Sequence, residues 1–283
     1  MQISFECEKC GHFHKVDQTK IGRRGRCRNC GSEVRVPVPG PIQEPSAAEV
    51  PDAGPPLQNP VRQTSDSYEE HGETVTVHVE AHLGAVRQVW RELISDAVPI
   101  DVLQVEPSDE RPFRTLVTSG MSDTVMSVPP DAADYGRAEL FLCLPPDWPI
   151  GRSEFQNERH YWPVRLLKEL ARIPQQHETW VGPGHSIGNY DGDQFTPYSD
   201  NTQFCCALVL PPMICAPPEF HELVLSDRTI RFYGVWPLYQ AEAELKIDEG
   251  FEALLDRLET SRVTELVDIS RMNACTKPRW KFW

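Results

Sequence analysis

The chain has 283 residues, 40% hydrophobic and 25% charged, with a net charge of −14. This suits one globular domain with a small accessory module and excludes a fibrous or wholly unfolded protein. No run approaches the roughly 18 to 20 apolar residues that a membrane span needs, and the charge is split unevenly, +4 over residues 1–36 against −18 for the rest.

The start, MQISFECEKC, has neither the charged region nor the apolar run of a signal peptide, so a cytoplasmic location is expected. Nine cysteines in a reducing compartment read as thiols or metal ligands rather than disulfides. Within residues 1–36, Cys7 and Cys10, then Cys27 and Cys30, form two Cys-x2-Cys knuckles separated by sixteen residues. That spacing predicts a zinc ribbon with one structural Zn2+ on the four thiolates, because a two-residue gap lets both sulfurs of a knuckle reach one soft-ligand metal. ISFEC, HFHKV, GRCR and EVRVP alternate as short strands around the knuckles, which leaves His12 and His14 as strand residues. So small a piece has little core of its own, and metal binding is then its folding free energy. Arg23, Arg24, Arg26 and Arg28 cluster at the second knuckle and supply the minimum for phosphate contact.

Residues 37–72 read as a Pro-rich disordered linker; eight prolines and almost no large apolar residue fall within 37–70, too little to offset the entropy of ordering. The remainder, 73–283, reads as one domain. TVTVHV (74–79) alternates like a strand, and Val79, Leu83, Val86, Trp90 and Leu93 then recur at helical spacing. IDVLQV (100–105), FRTLVTSG (113–120), RAELFLCLP (137–145) and FCCALVLP (204–211) read as strands, the third apolar on both faces except at Glu139 and so central. A helix is predicted to start at Pro163 and stop at Pro174. Short strands over 222–236 precede a last amphipathic helix with Phe251, Leu254, Leu255 and Leu258 on one face. The fold class is α+β, a mixed β-sheet flanked by helices, with the ribbon separate.

Several segments come in a familiar order: TLVTSGMSDTVM (115–126), RAELFLCLPPDWP (137–149), YWPVRLLKELARIP (161–174), TWVGPGHSIGN (179–189) and FYGVWPLYQAEAE (232–244), followed by an acidic helix. Over roughly residues 80–275 the chain resembles a bacterial suppressor of fused domain. The resemblance implies an α+β binding domain with no known catalytic activity. Animal relatives sequester a transcription factor by adding one of its extended segments as a strand. Bacterial relatives include immunity proteins that neutralise secreted toxins. The second lobe of the animal protein has no counterpart here.

Read from the residues alone, TSGMSD is a turn where Asp123 stays exposed. The glycine-rich stretch 182–193 presents His185, Asn189 and Tyr190, and polar glycine loops are common recognition surfaces. Asp123, His185, Asn189 and Tyr190 are therefore the partner-binding candidates, expected to border one groove, although His185 and Asn189 could equally hydrogen-bond the loop to itself. Ser186, His185 and Asp191 supply hydrolase chemistry within six residues, but triads converge from distant segments, and G-x-S-x-G is absent. Cys143, Cys205, Cys206, Cys215 and Cys275, with Trp148, Trp162, Trp180 and Trp236, read as core. The expected function is non-enzymatic capture of a protein partner, basic in charge since an acidic body attracts cations, with immunity against a basic toxin as its sharper form. No small-molecule substrate is expected. The alternatives are a nucleic-acid-associated adaptor acting through the ribbon and, last, a hydrolase centred on His185.

Overall fold

The computed structural model describes residues 2–6, 9, 13–17, 24–28, 30, 32–35, 65–91 and 98–276. These belong to two units, Met1–Pro60 and Val61–Trp283. In the first, β1 (Gln2–Glu6) pairs antiparallel with β2 (Phe13–Asp17), and β3 (Arg24–Arg26) with β4 (Glu33–Arg35). These are the four strands that the alternating segments predict.

The second unit begins with α1 (Ser65–Leu83). Residues 65–72, assigned to the linker from composition, are thus helical, and the strand expected at 74–79 does not form. The alternation of TVTVHV misleads because Val77, 60% exposed, belongs to the solvent side, while Val75, Val79 and Leu83, spaced by four, are buried. Thr76 Oγ1 donates to Gly72 O, one turn back, at 2.8 Å. The helix expected to continue from Val79 past Leu83 ends there instead, at Gly84, whose φ of +112° suits a helix terminus. The chain then enters β5 (Val86–Trp90), so Val86 and Trp90 are strand residues; Leu93 lies outside the described residues.

β6 (Asp101–Val105), β7 (Arg114–Ser119) and β8 (Ala138–Leu144) follow as expected. Next comes α2 (Glu158–Gln176), which starts five residues before Pro163 and runs through Pro174. Asn157 caps it, its side chain accepting from Arg159 N at 3.1 Å. Pro163 lacks the N–H that would bond Arg159 O, and Asn201 Nδ2 donates to that carbonyl instead at 3.0 Å. A tertiary contact therefore removes the reason for the helix to begin at the proline.

β9 (Ser186–Gly188), the small hairpin β10 (Tyr190–Asp191) and β11 (Gln194–Phe195), β12 (Phe204–Leu210), β13 (Glu222–Val224) and β14 (Thr229–Tyr239) complete the strands. α3 (Gln240–Glu249) and α4 (Phe251–Thr260) follow, parted by Gly250 at φ +99°. α4 is the predicted amphipathic helix, with Leu254 and Leu258 fully buried.

The main sheet runs β5-β6-β7-β8-β14-β12-β9, with β13 also on β14. All neighbours are antiparallel except β8 and β14, so the sheet is mixed, and β8 is its fully buried middle strand. Its alternate residues Leu140, Leu142 and Leu144 face α2, while Phe141 and Cys143 face α1. Further along the α1 face, Cys206, Leu208, Leu210, Trp236 and Leu238 are covered by α3 and α4. Between these two packed regions sits Gly234, where an added Cβ would lie 3.3–3.5 Å from Trp236, Glu265 and Phe141. Past Phe141, β8 and β14 part, and residues 265–267 take over: Cys143 N donates to Glu265 O at 3.1 Å and Val267 N to Cys143 O at 2.8 Å.

Candidate functional site

The turn at 119–123 is not the exposed surface that its composition suggests. Glu139 on β8 is fully buried, and the turn wraps around its carboxylate. Oε2 accepts from Thr118 Oγ1 at 2.5 Å, and Oε1 from Gly120 N, Ser122 N and Ser122 Oγ at 3.0, 3.0 and 2.7 Å. Burial raises the Glu139 pKa, and these donors partly oppose it. Gly120 is required twice over: its φ is +120°, and a Cβ there would meet Pro99 O at 2.6 Å. Asp123 itself is 8% exposed. Desolvation pushes its pKa up to about 6, with Arg137 and Arg228 pulling the other way. The sequence reading of Asp123 as an exposed group is corrected: the turn looks inward because a buried carboxylate needs its amides.

The glycine-rich loop does reach the surface. Gly184 (φ +82°) turns the chain into β9, the last strand of the sheet, where Gly184 N donates to Val209 O at 2.8 Å. His185 is half-buried, 4.3 Å from the Trp180 ring in an edge-on contact. Its pKa is lowered, first by burial, against a hydrogen bond to the Trp180 backbone, with Lys246 adding to the depression. Asn189 holds the small hairpin in place: Nδ2 donates to Thr196 O at 2.7 Å and its N to Cys205 O at 2.7 Å. Tyr190 is 53% exposed and packs on Phe195 at 4.6 Å. The hydrolase grouping is not assembled among the described residues. Ser186 Oγ accepts from Lys246 Nζ at 3.0 Å, the His185 ring is committed to Trp180, and Asp191 is exposed at the hairpin.

Among the described residues, no one hollow brings the four candidates together. His185 lines a cavity of about 970 Å³ between the 183–185 loop, the 210–214 segment and α3–α4. Asn189 borders a separate hollow of about 260 Å³ against α2. Tyr190 and Asp123 line neither.

The large cavity is apolar, walled by Leu210, Met213, Ile214, Trp236, Phe251 and Leu255, with Lys246, Glu259 and Arg262 around it. Met213 and Ile214 are 62% and 69% exposed. They are held there by a second buried carboxylate. Glu265, fully buried, accepts through Oε1 from the amides of Met213, Ile214 and Cys215 at 3.0, 2.9 and 2.8 Å. Glu265 Oε2 and Trp236 Nε1 are both buried without a hydrogen-bond partner. Sequence reasoning missed this site; its only trace is PPMICAPP, an apolar pair fenced by prolines. Beside the cavity, α3 and α4 expose Glu244, Asp248, Glu249, Glu252, Asp256 and Glu259.

The remaining cysteines and tryptophans are largely core. Cys143, Cys205, Cys206 and Cys215 are buried, Cys275 half-buried; burial pushes the Cys205 and Cys206 thiols up to about 11 and about 12. Trp148, Trp162 and Trp236 are buried, and Trp180 is half-buried. In the first unit Cys27 is buried and Cys30 exposed, and Cys30 Sγ lies 2.8 Å from Ser32 Oγ. Cys7 and Cys10 lie outside the described residues, and among the described residues no group of three or more metal-binding side chains occurs.

Among curated proteins none matches the sequence. A suppressor of fused homolog from Neisseria gonorrhoeae shares the fold, with a TM-score of 0.53 at 16% identity over 74% of this chain and 99% of that one. The crystal structure of the Sufu-Fu complex gives 0.49 at 13% identity, over 72% and 92%. Drosophila Suppressor of Fused gives 0.42 at 16% identity, over 63% of this chain and 43% of its own. The pattern of the suppressor of fused protein (SUFU) family matches residues 96–272, more than half of the sequence, and the chain belongs to that family.

Proposed function

We propose that the second unit is a protein-binding module and that the cavity at Met213 and Ile214 receives an apolar segment of its partner. The observation that carries this reading is the pair itself: two large apolar side chains held in solvent by a buried carboxylate, over a cavity of about 970 Å³. Exposed apolar surface of this kind marks interaction sites. The six exposed carboxylates of α3 and α4 favour a basic partner through steering. Immunity against a basic toxin in the cytoplasm is the sharper form of this function, and binding rather than catalysis is its chemistry. His185 borders the cavity and is the one sequence candidate that takes part; Asp123, Asn189 and Tyr190 are assigned no contact.

In the first unit we assign one structural zinc to Cys7, Cys10, Cys27 and Cys30. The support is the placement of the knuckles, each in the connection of one antiparallel hairpin, β1–β2 or β3–β4, with thiolates suited to a soft-ligand metal. Arg26 and Arg28 are exposed there, which favours nucleic-acid contact as a second reading.

The test is retention of partners by intact tagged protein, identified by mass spectrometry and compared with Ile214→Asp. A basic protein held by the wild type and lost by the variant, with an association rate falling as salt rises, supports capture at this cavity. The same partner held equally by both would refute it. Metal analysis of the intact protein tests the zinc: one equivalent per chain is expected, and none with Cys27→Ser.

A further inference from the structure

The cavity at Met213 and Ile214 runs along a helix. On α4, Phe251, Leu255 and Glu259 line it at one-turn spacing, so this wall follows the helix for about 12 Å at about 1.5 Å per residue. Beside that stripe Glu252, Asp256 and Glu259 are exposed. Their spacing of four and then three puts the carboxylates in one row along α4. Arg262, in the turn after α4, ends the row. The backbone donors around the cavity are spent within the chain. Gly184 N bonds Val209 O at 2.8 Å and His185 N bonds Gly182 O at 3.1 Å. Met213 N and Ile214 N both bond Glu265 Oε1. Arg262 N donates to Glu259 O and Val263 N to Leu258 O, each at 2.9 Å. Pro183 and Pro211, also in the wall, carry no N–H.

On the basis of the capture function proposed above, we infer that the partner segment seated in this cavity is an amphipathic α-helix with a basic flank. An added strand draws its affinity from a row of unpaired backbone groups on the edge that receives it. The bonded amides around this cavity are not such a row. An extended segment would also bring its own N–H and C=O groups into an apolar space and leave them unbonded, which is costly. A helix bonds those groups within itself and offers only side chains. The wall it meets is itself helical. An apolar stripe at i, i+4 and i+7 of the partner packs on Phe251 and Leu255 from α4 and on Met213 and Ile214 from the 210–214 segment. Lys or Arg beside that stripe then faces Glu252, Asp256 and Glu259, and the charge pairing fixes which flank of the partner lies along α4.

The experiment selects random phage-displayed peptides of about 16 residues, long enough for several helical turns, on the intact protein. Clones are kept when Ile214→Asp and Met213→Asp both fail to retain them. Both positions are largely in solvent, so the variants keep the fold, which an unchanged thermal midpoint verifies. The clones kept should carry large apolar residues at i, i+4 and i+7 with Lys or Arg alongside. A synthetic clone should gain far-UV helical signal on binding, and a proline at its centre should weaken it at least about tenfold. Glu252→Lys with Asp256→Lys should weaken it about tenfold at low salt and flatten its salt dependence. Cavity-dependent clones with alternating apolar residues, or with no helical gain, would overturn the helix and leave capture at the cavity standing. Affinity unmoved by the charge reversal would overturn the basic flank. If no clone depends on Met213 and Ile214, the inference and the capture function fall together.

Discussion

The turn at 119–123 and the loop at 182–193 are built from the same kinds of residue and meet opposite fates. Both carry glycine, serine and aspartate, and both follow or precede a strand of the main sheet. The first closes over the Glu139 carboxylate and is buried; the second bends around a sheet edge and leaves Tyr190 in solvent. Composition marks a turn, but a buried carboxyl group on the neighbouring strand decides whether the turn faces inward. The 213–215 segment repeats the lesson with Glu265, whose bonds to three amides fix the backbone while the side chains of Met213 and Ile214 point out.

The contrast can be broken most sharply at its centre. Glu139→Ala leaves four buried donors without an acceptor, and unfolding by denaturant should show a loss of about 3 kcal/mol or more. An unchanged midpoint would mean that the turn does not depend on the carboxylate. Gly120→Ala, at φ +120° and against Pro99 O, should cost about 2 kcal/mol. Gly192→Ala in the exposed hairpin has a φ of +59° but open space around it, and about 1 kcal/mol is expected. Equal costs at the two glycines would show that the buried turn is no tighter than the exposed one.

A pH series sharpens the comparison further. The Asp123 carboxyl titrates near 6 in the fold against 3.8 ordinarily. The folded state therefore holds its proton more tightly than the unfolded one, so this group favours folding fully below about pH 4 and loses that advantage as pH rises through about 6. Asp123→Asn should flatten stability between those values, seen as a smaller change in thermal midpoint than the wild type shows. A wild-type slope retained in the variant would assign the titration elsewhere. The smallest effect is expected at Tyr190→Ala, where half the side chain is already in water; less than about 1 kcal/mol should be lost, mostly the contact with Phe195. A larger loss would make the exposed loop structural after all.

Much of the sheet is legible in the sequence. β8 and β12 are continuous or nearly continuous apolar runs, β6 and β7 are short β-branched and apolar segments, and the position of β8 at the centre follows from its having two apolar faces. α4 was legible because its apolar residues repeat at helical spacing. α1 was not: Val75, Thr76, Val77 and His78 fit a strand as well as a helix, and the choice rests on His78 stacking with Phe220 and Phe232 at 5.5 and 4.9 Å. Those rings come from segments some 140 to 150 residues away, beyond any local pattern.

By itself the sequence determined the family, the mixed α+β architecture, the two Cys-x2-Cys knuckles and the acidity of the large domain, since each is a matter of residue type and spacing along the chain. Only the tertiary structure decided that Asp123 turns inward, that His185 and Asn189 border different hollows, and that Met213 and Ile214 stand exposed over an apolar cavity. For the Asp123 turn and for Met213 and Ile214 the reason is the same. A buried carboxylate must gather its donors from wherever the fold brings them, and Glu139 and Glu265 draw theirs from segments about 20 and about 50 residues away.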